Sequence, residues 1–375
     1  MSEYPYSPGL EGVPAGTTAI SEIDPSRQKL AYRGYDIEDL ADHATFEEVA
    51  FLLLEGTLPT TAQFELFKAD LVAERSIPDS LIGLFRAMPN DCHPMDTLRT
   101  AVSFLGQVDP DVNDNSHAAN LRKAKRLTAK TGTCIAAAHR IRQGQEPIAP
   151  RADLDHAQNF LFMLTGSVPE DFCAKCFDTS LILYVEHSFN ASTFSGRVIV
   201  STTADLHCGV VGAIGALKGP LHGGANEKAM AMFLEIGTPD RAEAFVRDLL
   251  ARKQRIMGIG HRVYKTGDSR VPTLKRIGQQ LGEHFNDLRW VQIADTIETI
   301  MREEKNMHPN VDFSCAYVYY YLGLPIELYT PIFAAARVVG WSAHIIEQLD
   351  DNRLIRPSCL YNGERGREWV ALDQR

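Results

Sequence analysis

No apolar run in this 375-residue chain is long enough to span a bilayer; the longest, Cys208 to Leu217, falls far short. The start, Met1-Ser2-Glu3-Tyr4-Pro5-Tyr6-Ser7-Pro8, lacks a basic region followed by an apolar stretch, so no export signal is expected and a cytoplasmic location is. Basic charge is not in excess. With 38 Lys and Arg against 48 Asp and Glu the net charge is −10, the wrong sign for a non-specific nucleic-acid binder. The seven cysteines are an odd number in a long chain, which points to reduced thiols rather than a disulfide framework. There is no His-Glu-x-x-His, and Cys173-Ala174-Lys175-Cys176 has no second pair at zinc-ribbon spacing. An i, i+3 cysteine pair on a helix reads as core packing, so no metal is expected. Alternating strand patterns are scarce, and no repeat or low-complexity linker is present.

What the chain does contain is enough apolar material, 45% against 23% charged, to offset the entropy of ordering and to build more than one core. Its periodicity is helical nearly throughout. Ala242, Phe245, Val246, Leu249 and Leu250 follow the i, i+3, i+4, i+7, i+8 template, and Trp290, Ile293, Ala294, Ile297, Ile300 and Met301 repeat it. Asp240 is expected to cap the first of these, and Thr330-Pro331 to supply an N-cap and an N1 proline. Gly56, Gly166, Gly237 and Gly323 read as helix stops. Any sheet is expected to be a short hairpin in the first 35 residues. The basic cluster Arg122-Lys123-Ala124-Lys125-Arg126 is expected to be a solvated helix face.

Three segments break the helical pattern with reactive side chains. Gly219-Pro220-Leu221-His222-Gly223-Gly224-Ala225-Asn226 surrounds a histidine with small residues that let backbone and ligand approach an imidazole. The bland alternative is a turn with a surface histidine. Gly258-Ile259-Gly260-His261-Arg262-Val263-Tyr264-Lys265, closing with Asp268-Ser269-Arg270, is a local anion trap or a solvated basic turn; it lacks the third glycine of a dinucleotide fingerprint. His308-Pro309-Asn310-Val311-Asp312-Phe313 sets Asp312 at a helix start, as a cap or as a carboxylate base buried against Phe313. Arg337 interrupts an apolar helix, where a guanidinium is costly unless paired, and Arg356 follows in Asn352-Arg353-Leu354-Ile355-Arg356-Pro357.

These segments, in this order, resemble the citrate synthase family. Glu186-His187-Ser188-Phe189-Asn190-Ala191-Ser192-Thr193-Phe194 resembles a fourth family segment, and Gly9-Leu10-Glu11-Gly12-Val13 and Tyr32-Arg33-Gly34-Tyr35-Asp36-Ile37 fit as well. The likeness runs from Gly9 to about Pro357. It departs at Ser269, where the family more often has proline, and at Ser314-Cys315.

The resemblance implies an all-α, two-domain helical fold. Residues 1–222 and 324–375 would form a large domain with the dimer interface, and 223–323 a small domain that closes over the substrates. It implies condensation of acetyl-CoA with oxaloacetate and hydrolysis of the thioester to citrate and CoA, the first step of the tricarboxylic acid cycle. No cofactor or metal is implied, since the CoA thioester is a substrate. By motif position, Asp312 would take the methyl proton, His222 would donate to the thioester oxygen, and His261 would polarise the ketone. His187, Arg270, Arg337 and Arg356 would bind oxaloacetate, with Arg356 reaching across a homodimer interface. Lys265, Met257, Gly258 and Asn310 would contact CoA. A 2-methylcitrate synthase using propionyl-CoA is the close alternative, and a catalytically silent CoA-binding scaffold the distant one.

Overall fold

The protein, here a computed structural model, is described over residues 6–260 and 267–375. Near the N-terminus, β1 (Ser21–Asp24), β2 (Lys29–Tyr32) and β3 (Tyr35–Asp36) make a three-stranded antiparallel sheet with Ser21 opposite Tyr32 and Ala31 opposite Asp36. The expected hairpin therefore gains a third short strand. Sixteen α-helices follow among the described residues. They are α1 (Ile37–His43), α2 (Phe46–Glu55), α3 (Thr61–Glu74), α4 (Asp79–Ala87), α5 (Pro94–Val108), α6 (His117–Arg142), α7 (His156–Thr165) and α8 (Asp171–Tyr184). The second half holds α9 (Ala191–Val200), α10 (Leu206–Leu217), α11 (Ala225–Ile236), α12 (Pro239–Ala251), α13 (Val271–His284), α14 (Arg289–Lys305), α15 (Val311–Tyr321) and α16 (Tyr329–Asp350). The all-α reading holds.

Local chemistry sets many of the helix ends. Thr45 with Glu48, Thr60 with Gln63 and Asp155 with Gln158 form capping boxes that satisfy the first free N–H groups of α2, α3 and α7. Gly56 and Gly166 close α2 and α7 at φ 91° and 86°, backbone that side chains disfavour. Gly237 and Gly323 likewise lie just past α11 and α15.

Two caps differ from expectation. Thr238 flanks α12, and Asp240 sits inside its first turn, where its charge still favours the helix N-terminus. α16 starts at Tyr329, ahead of Thr330, because the Thr330 hydroxyl is engaged by Glu227 of α11 rather than by the helix end. Pro331 remains in the first turn, where a missing N–H costs nothing.

The basic cluster on α6 also differs. Lys123 is fully buried, its Nζ 2.6 Å from the Asp114 carbonyl, and Arg126 is clamped by Asp109 and Asp111. The loop after α5 folds back over this face, so it is packed rather than solvated.

α16 is buried along nearly its whole length by α2, α5, α6, α8, α9 and α10, which explains its apolar residues on every side. Helices α11 to α15 pack mainly on one another, through α13 with α15, α11 with α15 and α12 with α14. The two groups meet where α11 touches α16 and α13 touches α8. The small sheet braces this junction. The Tyr32 hydroxyl donates to the carbonyls of Ile182 and Glu186 at 3.3 and 2.9 Å, at the end of α8 and just beyond. Among the described residues no helix is long and apolar enough to cross a membrane.

Candidate active site

Asp312 lies in the first turn of α15. Asn310 is the true cap, accepting from the Asp312 N–H at 3.0 Å, so the Asp312 carboxylate is free for other work. It is buried, and its Oδ1 accepts a 2.8 Å hydrogen bond from the Tyr184 hydroxyl at the end of α8. Burial pushes its pKa up from 3.8 to about 6, against the opposing pull of Tyr184 and then of the Arg270 charge. A carboxyl with that pKa is ionised at neutral pH yet basic enough to remove a proton from carbon.

His222 sits between α10 and α11, and its Nε2 lies 2.8 Å from Ser192 Oγ and 3.3 Å from the Ser192 N–H. A backbone N–H can only donate, so Nε2 is an acceptor and the neutral ring carries its proton on Nδ1. Trp341 Nε1 donates to the same Ser192 oxygen at 3.0 Å, holding the hydroxyl in place. Burial, and then the Arg337 charge, lower the His222 pKa from 6.5 to about 4, so the ring is neutral at physiological pH.

Two arginines converge on this space. Arg337, fully buried on α16, donates from Nε to the Tyr184 carbonyl at 2.7 Å and lies over the Phe333 ring, 4.7 Å from its centroid. Burial lowers its pKa to about 10 while the nearby Glu186 carboxylate raises it; it stays charged. Arg270 flanks α13 and forms a two-point pair with Asp268, Nε to Oδ1 at 2.9 Å and a terminal nitrogen to Oδ2 at 2.7 Å. Asp268 also accepts from the Val311 N–H at 3.2 Å, tying the arginine to the start of α15 and hence to Asp312. Serine at 269 in place of proline does not prevent this turn.

Behind them, His187 is buried in the loop after α8. Its neighbour Glu186 is wholly buried, with Oε1 receiving Ser21 Oγ at 2.9 Å and facing His344 Nε2 at 2.8 Å. This buried pair anchors the loop to α16 and to the sheet.

Met257 and Gly258 enter from the other side. The segment pairs with the approach to α15: Asn310 N–H donates to the Gly258 carbonyl at 2.9 Å, and Asn310 Nδ2 donates to the Gly260 carbonyl at 2.9 Å. Gly258 has φ 76°, and a Cβ there would meet Phe313 Cβ at 2.7 Å, so only glycine lets the two segments close. His261 and Lys265 lie outside the described residues. Arg356 is exposed in the extended segment after α16 and makes no hydrogen bond or ion pair among the described residues; its own chain does not bring it to this cluster.

The structure thus brings together Asp312, His222, Arg270 and Arg337 from four chain segments, with His187 buried in the loop that follows Tyr184. It adds Tyr184, Ser192, Trp341 and Asp268, which the sequence reading did not single out. Ser192 lay inside a quoted motif and Asp268 beside Arg270, so position in a motif could have flagged both. Tyr184 and Trp341 sit in apolar helical stretches that read as core.

A buried carboxylate of raised pKa, a neutral imidazole and two arginines thus meet in a helical frame. Residues 9–358 match the family model described as citrate synthase, C-terminal domain, and the chain belongs to the citrate synthase family of condensing acyltransferases. It is 48% identical over 359 residues to a 2-methylcitrate synthase of Mycobacterium tuberculosis strain H37Rv, covering 96% of this chain and 91% of that protein. It is 45% identical over 368 residues to citrate synthase 2 of Bacillus subtilis strain 168, covering 98% of each. Among solved structures, the citrate synthase of Thermoplasma acidophilum, in a ternary complex with carboxymethyl coenzyme A and oxaloacetate, overlays with a TM-score of 0.94 at 33% identity. It covers 99% of this chain and 100% of that one.

Proposed function

We propose that this chain condenses acetyl-CoA with oxaloacetate and hydrolyses the resulting thioester to citrate and CoA, without a metal. The observation that carries the reading is Asp312, a buried carboxylate of raised pKa tied to the Tyr184 hydroxyl. In this mechanism Asp312 removes a methyl proton of the thioester while the His222 Nδ1–H donates to its oxygen, so an enol forms without full charge. Positioned acid–base groups of this kind contribute about 10²–10⁴ in rate, and an oxyanion-type donor about 10²–10³. The enol carbon attacks the ketone carbon of oxaloacetate, and His261 protonates the alkoxide. Water then cleaves the thioester.

Arg270, Arg337 and Arg356 of the partner subunit hold the two carboxylates, with His187 beside them. Three cations in one cleft let a chain of charge −10 bind a dianion. Lys265, Met257, Gly258 and Asn310 lie along CoA. Helices α11 to α15, within 223–323, move as a small domain on the rest and exclude water while the enol forms.

The same residues serve propionyl-CoA if the pocket has room for one more methyl, as the 2-methylcitrate synthase relative suggests. A methylene is worth only about 1–3 kcal/mol of discrimination. Thiol release from each thioester, with and without oxaloacetate and in EDTA, tests the reading. The expected result is oxaloacetate-dependent release that survives EDTA, with the higher kcat/KM for acetyl-CoA. Release that ignores oxaloacetate or needs added metal refutes the function. A higher kcat/KM for propionyl-CoA reassigns the substrate.

A further inference from the structure

Away from the active site, the N-terminal end of α8 meets the C-terminal end of α13. Glu170 flanks α8, Cys173 lies in its first turn, and His284 is the last residue of α13. Glu170 Oε2 is 3.1 Å from His284 Nε2. One donor from each residue, a carboxylate oxygen, a thiol sulfur and an imidazole nitrogen, all lie within 4.8 Å of one another. Among the described residues this is the one group of three such side chains at that spacing. The imidazole is held between two rings, Phe172 at 5.0 Å and Phe285 at 4.8 Å between centroids.

We propose that Glu170, Cys173 and His284 form a binding site for a zinc-class divalent cation that fastens α8 to α13. The donor set decides the ion. Thiolate and imidazole favour zinc over magnesium or calcium, which take oxygen ligands. Zinc bonds of about 2.3 Å to sulfur and about 2.0 Å to nitrogen or oxygen put tetrahedral donors roughly 3.3–3.8 Å apart. Small rotations of the exposed Glu170 and His284 and the half-buried Cys173 side chains reach that spacing, and water fills the fourth position.

Burial, and then the Glu170 charge, hold the Cys173 pKa up, so a cation has to displace the thiol proton to bind there. Without a cation the Glu170–His284 contact is an ordinary surface pair worth little.

The location gives the site meaning. α8 ends at Tyr184, and α13 starts beside Arg270. A cation here joins the outer ends of two helices whose inner ends reach the candidate active site. Binding itself does not depend on the proposed reaction.

The test uses the full chain, stripped with chelator, and cobalt(II) as a spectroscopic stand-in. The expected result is one cobalt per chain with a near-ultraviolet thiolate-to-cobalt band and intense tetrahedral visible bands, both lost on adding zinc. Cys173→Ser and Cys173→Ala should abolish the thiolate band. His284→Gln and Glu170→Gln should each weaken zinc at least about tenfold in competition with a chromophoric chelator. Zinc should raise the melting temperature of the parent chain and not that of the Cys173 variants. In chelator, thiol release from acetyl-CoA should be the same for parent and Cys173→Ser, which separates this site from the catalytic reading. A thiolate band that survives in both Cys173 variants places the metal on another cysteine and overturns the proposal. So does zinc affinity unchanged in His284→Gln, or the absence of any tetrahedral cobalt spectrum.

Discussion

The Tyr184 hydroxyl donates to Asp312 Oδ1 across 2.8 Å, while the carbonyl of the same tyrosine accepts from Arg337 Nε at 2.7 Å. One residue at the end of α8 thereby couples a carboxylate on α15 to a guanidinium on α16. The hydroxyl is what keeps the Asp312 pKa from climbing further once the side chain is buried.

Tyr184→Phe removes that hydrogen bond and leaves the ring packing. A hydrogen bond to a charged group is worth about 1.5–3 kcal/mol, so the Asp312 pKa should rise by roughly one to two units. The acidic limb of the kcat/KM profile should move to higher pH by that amount. An unmoved limb would show that Tyr184 does not tune the base.

Asp312→Asn should lower kcat by about 10²–10⁴ while oxaloacetate binding, followed by calorimetry, stays nearly intact. Lost oxaloacetate binding with normal kcat would refute the role. The same variant reports on stability. The Asp312 pKa is raised in the folded state, so its contribution is fully present below 3.8 and is lost as pH rises through about 6. The rise corresponds to roughly 3 kcal/mol. Denaturant unfolding should therefore show the variant gaining stability relative to the parent above about pH 6 and not at about pH 4.

His222 has the opposite sign. Its pKa is lowered from 6.5 to about 4 in the folded state, so the unfolded chain takes up the proton first as pH falls. Its contribution is present above about 6.5 and is lost as pH falls through about 4. Ring resonances of His222 should stay those of the Nδ1–H neutral tautomer from about pH 8 to about pH 5. An imidazolium signal in that range would remove the neutral donor from the mechanism.

If both arginines complete one composite site, as proposed, Arg337→Ala and Arg356→Ala should each nearly eliminate activity. If Arg356 acts in the partner's site, unfolding and refolding the two variants together restores one of two sites in half the dimers. About a quarter of all sites should then recover. Mass-tagged subunits verify exchange. Full exchange with no recovery would show that Arg356 does not reach across the dimer.

The helices were legible because their signals are local. Periodicity marked the faces of α12 and α14, and glycines marked the ends of α2, α7, α11 and α15, since backbone geometry there depends on a few neighbouring residues. Residue type and motif order were enough to single out Asp312, His222, Arg270 and Arg337. Tertiary structure decided the rest, because burial and long-range pairing depend on what another part of the chain brings. Lys123 read as a solvated lysine, and only the loop after α5 folding over α6 made it a buried one. Tyr184 ends an apolar helical stretch and carries no local signal of a role. Its hydroxyl meets Asp312, 128 positions along the chain, a pairing that no local pattern could announce.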